Sequence, residues 1–166
     1  MTNDDHSPNP DEQAAQPGED REGEDRESAY ALLQRGLALI RSRHHAQAAV
    51  VLERAARAEP GKGSILEPLG RAYHHAGQFE RARETFEALL EVDPSAHWAH
   101  FALATTLRKL DRVAEARTHL RLAIALSPGS PLYRQALDRL DAAFPPEPQK
   151  KLEPPKAEPP KAEPPK

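Results

Sequence analysis

Three prolines fall at one fixed interval in the middle of the chain: Pro60, Pro94 and Pro128, each 34 residues after the last. Proline has no backbone N–H and its ring clashes with the preceding turn, so an α-helix stops at or before it. Stops at constant spacing imply a repeated unit of constant length. Such a unit buries its apolar face against copies of itself rather than in one central core. Alignment on the prolines gives three windows, 29 to 62, 63 to 96 and 97 to 130.

The rest of the pattern keeps step. Position 8 of each window holds Gly36, Gly70 and Ala104, position 20 holds Ala48, Ala82 and Ala116, position 24 holds Leu52, Phe86 and Leu120, and position 27 holds Ala55, Leu89 and Ala123. Leu32, Leu39, Leu66, Leu69, Tyr73, Leu103 and Leu107 recur at three-, four- and seven-residue steps, which is the apolar face of a helix. Each window is therefore predicted to be two antiparallel helices. Positions 8 and 20 are expected at their crossing, where a small side chain lets the backbones approach.

A 34-residue period with small residues at 8 and 20, a bulky apolar residue at 24 and proline at 32 resembles the tetratricopeptide repeat (TPR). The resemblance implies an all-α fold, a right-handed TPR superhelix (α-solenoid) of three helix-turn-helix repeats and a capping helix, with disordered tails. Three positions depart from the pattern. Arg35 stands in a usually apolar slot, His100 in a usually aromatic one, and Pro68 is placed near the start of a first helix, where the missing N–H costs least. For the capping helix, Ser130 is an expected N-cap and Pro131 the first helical residue, over 131 to 143. Leu132, Tyr133, Ala136, Leu137 and Leu140 would face the last repeat, and Arg134, Gln135, Asp138, Arg139 and Asp141 the solvent.

Most of the 17 prolines lie outside the repeats. Residues 1–27 are expected to be a disordered acidic tail, 28–144 the TPR domain, and 145–166 a proline-rich tail in which xEPPK recurs every five residues. Residues 1 to 28 carry ten Asp/Glu against two Arg, residues 29 to 144 carry 16 Lys/Arg against 12 Asp/Glu, and the remainder five Lys against four Glu. A weakly basic domain with no dense basic stripe is a poor fit to nucleic acid, whose non-specific affinity needs many phosphate contacts together. Arg and Ala dominate the middle, a bias expected of GC-rich bacterial coding. There is no cysteine, no apolar leader and no run of 18 apolar residues, so no membrane association is expected and a cytoplasmic location is.

The adjacent pair His74-His75 invites a metal reading, but falls at the end of a first helix just before Gly77, where a left-handed residue commonly ends a helix and a basic side chain meets the negative end of its dipole. His97 and His100, three apart, could bring two imidazoles to one face. No four-ligand set completes a zinc site, and no nucleophile elbow or phosphate-cradling glycine loop is present. Neither a cofactor nor an enzymatic activity is expected.

Within the resemblance, first helices line the concave side through positions 2, 5, 6, 9, 12 and 13. This implies a partner-binding groove of Tyr30, Leu33, Leu37, Ile40 and Arg41, then Glu67, Arg71, His74 and His75, then Trp98, Phe101, Thr105, Arg108 and Lys109. Some TPR domains grip a C-terminal carboxylate through Lys, Asn and Arg. The matching positions here hold Leu33, Leu37, Pro68, Trp98 and Ala102, whose side chains have no donor suited to a carboxylate. The expected function is a non-catalytic protein-protein interaction module, an adaptor or assembly scaffold holding a partner peptide or helix. A secretion-type chaperone sheltering apolar client segments is the alternative. The acidic N-terminal segment is a candidate to fold back on Arg71, Arg108 and Lys109.

Overall fold

A computed structural model describes residues 27–145, and the expected acidic and proline-rich tails lie outside the described residues. Seven helices follow one another with no strand among the described residues: α1 Ala29–Arg41, α2 His45–Ala58, α3 Gly63–His75, α4 Phe79–Val92, α5 His97–Lys109, α6 Val113–Leu126 and α7 Pro131–Ala143. Each 34-residue window is one antiparallel pair. Successive pairs pack side by side, with the first helices α1, α3 and α5 in contact along one face and α7 closing the end against α6.

The periodic prolines sit where the pattern predicts. The second helix of each pair ends at Ala58, Val92 or Leu126, and its cap N–H (Glu59, Asp93, Ser127) still bonds back to Ala55, Leu89 or Ala123. Proline follows at once in every case.

The turn inside each pair is built alike. Arg43 (φ 62°), Gly77 (φ 77°) and Asp111 (φ 59°) share position 15 and all adopt the left-handed conformation. The residue after each closes a six-residue loop on the helix it leaves: His44 N donates to Leu39 O, Gln78 N to Tyr73 O and Arg112 N to Leu107 O, at 2.9 to 3.0 Å. His74 and His75 thus stand in the last turn of α3.

The tightest contact at position 8 is with the residue at position 24. A Cβ placed on Gly36 would lie 2.5 Å from Leu52 Cδ2, and one on Gly70 would lie 2.5 Å from Phe86 Cε1. Position 8 therefore opens room for the bulky residue at 24, and the alanines at 20 (Ala48, Ala82 and Ala116) are fully buried. Full burial of one such large apolar side chain contributes about 2–3 kcal/mol.

Three expectations change in detail. Pro68 lies in the second turn of α3, not at its start, so Ser64 O loses its helical donor. Ser130 is the N-cap of α7, yet its side chain makes no capping bond. Leu132 is not packed into the core with the last repeat: it is 47% exposed, whereas Tyr133 and Leu140 are buried. Arg35 needs no apolar neighbour because it lies on the solvent side of the first pair, where it bonds Glu27.

Polar locks tie the units together. Tyr73 Oη donates to Glu53 Oε1 at 2.6 Å, and Arg81 Nη1 donates to the same oxygen at 2.9 Å with its guanidinium 5.6 Å from the Tyr73 ring centre. Burial, then Glu53, push the Tyr73 phenol up, so it remains a donor. At the other end Arg117 grips α7 through Asp141 Oδ1 (2.6 Å) and Phe144 O (2.7 Å). That fixes where the chain leaves the fold.

Candidate functional site

The concave face is built from the first helices of the pairs, and its middle is aromatic. Trp98, at the start of α5, meets the Phe86 ring edge to face, with centroids 6.4 Å apart at 82°. Phe101, one turn on, lies 5.1 Å from Tyr133 of α7. The Tyr133 hydroxyl is held at 2.8 Å from His97 Nδ1, which sets the pitch of α7 against α5. Between these rings opens a cavity of about 370 Å³, with Leu132 on the far wall and Arg71, His74 and His75 on the near one.

His74 is positioned by its neighbour's single proton. The Thr106 hydroxyl donates to Ala102 O at 2.9 Å, so its oxygen must accept from His74, and the bond of 2.9 Å to Nδ1 assigns the Nδ1–H tautomer. Burial, followed by the charges of His75, Lys109 and Arg108, lowers the His74 pKa and keeps the ring neutral. Burial, then His45 and Arg71, do the same to His75. The cationic charge at the C-terminal ends of α3 and α5 is therefore carried by Arg71, Arg108 and Lys109, not by the histidines.

A second cavity, of about 320 Å³, continues this surface between α5 and α7. Phe101 and Thr105 belong to both, and Arg108, Arg139 and Phe144 complete its mouth.

Of the residues expected to line the groove, Arg71, His74, His75, Trp98, Phe101 and Thr105 come together at the first cavity. Arg108 borders the second, and Lys109 lies exposed beside it on the last turn of α5. Leu33 and Ile40 pack on the core. Tyr30 is 70% exposed. Leu37 is half-buried, Arg41 is exposed, and Glu67 lies near Arg71 Nη1 at 3.7 Å. None of these six lines either cavity. Phe86, Leu132 and Tyr133 do line the aromatic cavity, and the sequence reasoning missed them. The signal was present, because one more 34-residue step from Trp98 lands on Leu132. The terminal helix thus continues the register of the first helices.

His97 and His100 do not share a face. His97 turns to Tyr133, while His100 Nε2 donates to Pro94 O at 3.1 Å and its Nδ1 lies 3.0 Å from His119 Nδ1. The intervening α-helical turn aims one at α7 and the other at α6. Among the described residues no group of three or more His, Asp or Glu side chains could hold a metal ion, and no helix is long and apolar enough to cross a membrane.

The family model described as tetratricopeptide repeat matches residues 33–84 and 68–131. Superkiller complex protein 3 of Mus musculus is 32% identical over 97 residues, 58% of this chain but 6% of that protein, and the Homo sapiens protein is 30% identical over 95 residues. The chain thus spans a small fraction of these curated relatives. The first TPR of Spaghetti (RPAP3) bound to the HSP90 peptide SRMEEVD superposes with a TM-score of 0.66 at 17% identity, covering 72% of this chain and 94% of that one. The Yersinia enterocolitica type III secretion translocator chaperone SycD superposes with a TM-score of 0.59 at 20% identity, covering 68% and 77%. At these identities the superpositions describe the fold alone. The matched family residues, by contrast, run through all three helix pairs that build the groove, and the chain belongs to the tetratricopeptide-repeat family.

Proposed function

We propose that the chain is a non-catalytic protein-interaction module, an adaptor or assembly scaffold that holds an extended or helical segment of a partner protein in its concave groove. The observation that carries this reading is the open aromatic cavity lined by α3, α5 and α7, with Trp98 and Phe101 among its rings and Arg71 at its border. Aromatic and arginine side chains in a concave, partly desolvated site are the residue types that dominate interface energies. The Spaghetti (RPAP3) domain is bound to an HSP90 peptide. The ligand chemistry differs here, because Leu33, Leu37, Pro68, Trp98 and Ala102 supply no cationic or amide side chain for a terminal carboxylate. An apolar anchor entering the cavity, with acidic residues toward Arg71 and Arg108, fits this groove instead.

The test is capture from native lysate by wild type, Trp98→Ala and Arg108→Glu, followed by affinity measurement on the partner identified. Loss of a central aromatic anchor weakens binding by about 2 kcal/mol, roughly 30-fold, and the charge reversal weakens it most at low salt. Equal affinity for all three proteins overturns the reading. A chaperone that shelters apolar client segments is the second reading, favoured by the exposed Leu132 beside the cavity. A client that is insoluble without this chain, where a scaffold would hold a folded partner, distinguishes the two.

A further inference from the structure

We propose that the chain's own proline-rich segment, residues 152–166, is an intramolecular occupant of the aromatic cavity. The inference uses the groove of the preceding section but none of its partners. Three observations converge on it. First, the chain leaves the fold at the groove: α7 ends at Ala143, Phe144 forms part of the second cavity, and Arg117 pins Phe144 O at 2.7 Å. That cavity shares Phe101 and Thr105 with the aromatic one, so the exit point and the docking surface adjoin.

Second, the chemistry of the cavity suits proline. Trp98, Phe101, Phe86 and Tyr133 present ring faces and edges with no charged group among them. Proline-rich segments dock on aromatic-lined grooves because their rings are flat and apolar and the extended backbone loses little entropy on binding. The Pro-Pro pairs at Pro154-Pro155, Pro159-Pro160 and Pro164-Pro165 supply such rings, and each is preceded by a glutamate, Glu153, Glu158 or Glu163. Each pair is also followed by a lysine, Lys156, Lys161 or Lys166, so the segment is neutral and its proline rings, not a net charge, match it to the cavity.

Third, the tether is long enough and short enough. At about 3.1 Å per residue, the segment after Phe144 reaches ~65 Å when extended, several times the ~20 Å length of α5. A short tether holds its end at an effective concentration of about 1 mM, so an association with a dissociation constant of ~100 µM is closed in roughly nine molecules of ten. The acidic N-terminal segment is the weaker occupant. It has no aromatic residue and no Pro-Pro pair, and it enters the fold at Glu27, whose carboxylate is held by Arg35 and Arg54.

Trp98 is the one tryptophan in the chain and stands in the cavity, so its emission reports occupancy directly. The experiment compares the full chain with a full-length variant in which Pro154, Pro155, Pro159, Pro160, Pro164 and Pro165 are all changed to Ser, and with a chain lacking residues 1–26. All of these positions lie beyond residues 27–145, which hold the seven helices and their core. The proline variant is expected to shift Trp98 emission to the red and to raise its acrylamide quenching constant about twofold, with helicity unchanged. Deleting residues 1–26 is expected to leave both unchanged. The wild-type signal should be constant over a hundredfold range of protein concentration, and synthetic KAEPPKAEPPK should restore the protected signal to the proline variant. Identical quenching in wild type and proline variant overturns the proposal, as does protection lost only with residues 1–26. A concentration-dependent signal overturns it in favour of the segment of a second copy. Each of these failures leaves the groove reading standing if partner affinity still depends on Trp98.

Discussion

Gly70 faces the ring of Phe86 so closely that a Cβ on it would lie 2.5 Å from Cε1, 2.8 Å from Cδ1 and 2.9 Å from Cζ. Phe86 is 1% exposed and meets Trp98 edge to face, so its rigid ring can yield only toward the aromatic cavity and by displacing Trp98. Gly70→Ala is therefore expected to destabilise the domain by about 1–3 kcal/mol, as overpacking of a filled core does, and to shift Trp98 emission with it. Gly36→Ala meets Leu52 Cγ as well as Cδ2 at 2.5 Å, but a branched aliphatic side chain can change rotamer where a rigid ring cannot, and it is expected to cost less. Urea unfolding of the two variants orders them. Equal midpoints would place the constraint elsewhere.

The three turns at position 15 share one backbone and differ in side chain. Arg43 holds φ 62° with a Cβ that opposes it, Asp111 holds φ 59° with a short polar side chain that tolerates it, and Gly77 holds φ 77° without a Cβ. Arg43→Gly is expected to stabilise by up to ~1 kcal/mol, raising the midpoint of thermal unfolding by up to about 4 °C in a domain of this size. Gly77→Ala is expected to lower it by a similar amount. An Arg43→Gly protein that melts below wild type would show that the left-handed turn carries no strain there.

These turns also show what the sequence could and could not tell. The unit length was legible because each Pro60, Pro94 and Pro128 ends a helix through covalent chemistry that no neighbour can override. The left-handed turn was legible only at Gly77, since Arg43 and Asp111 adopt the same conformation under the pull of the helices they join. The groove was legible where it followed the family register, at Arg71, Trp98 and Phe101, and illegible at Phe86, whose ring reaches the cavity from a second helix only because Gly70 clears its path. The His100–His119 hydrogen bond joins two helices at a spacing with no local pattern, so nothing in the linear order announces it.

That bond makes stability depend on acid. His100 Nε2 donates to Pro94 O, which leaves its Nδ1 to accept from His119 Nδ1–H, and two protonated rings would turn two donors on each other. Burial, then the charge on His100, lower the His119 pKa, against a smaller upward pull from Glu87 and Glu115. His74 and His75 are lowered as well, with burial again the largest cause. A histidine whose folded pKa lies below its unfolded value of about 6.5 binds its proton more readily in the unfolded chain. The stabilising effect is complete above pH ~6.5 and falls away as pH drops below it. Thermal melts from pH ~8 to pH ~5 should fall only in the acidic half. His119→Gln, which keeps a donor for His100, should flatten part of that fall, and an unchanged slope would remove the pair as its cause.

Leu132 separates the two roles open to α7. A capping helix would need its apolar side chains for stability, whereas a groove wall would need Leu132 for binding. The side chain is 47% exposed, while its neighbours Tyr133 and Leu140 are buried at 6% and 2%, so little of its surface is removed from water by folding. Leu132→Ser is therefore expected to change unfolding stability by no more than about 0.5 kcal/mol, within the range of ordinary surface substitutions. It sits across the aromatic cavity from Trp98, one repeat period further on. The same change is expected to weaken partner binding by about tenfold, the effect of removing one apolar side chain from a desolvated pocket. Leu140→Ser supplies the contrast: it empties a buried position and is expected to lower stability by several kcal/mol. Paired unfolding and binding measurements on the two variants give opposite rankings if α7 is a wall of the groove, and the same ranking if it is only a cover.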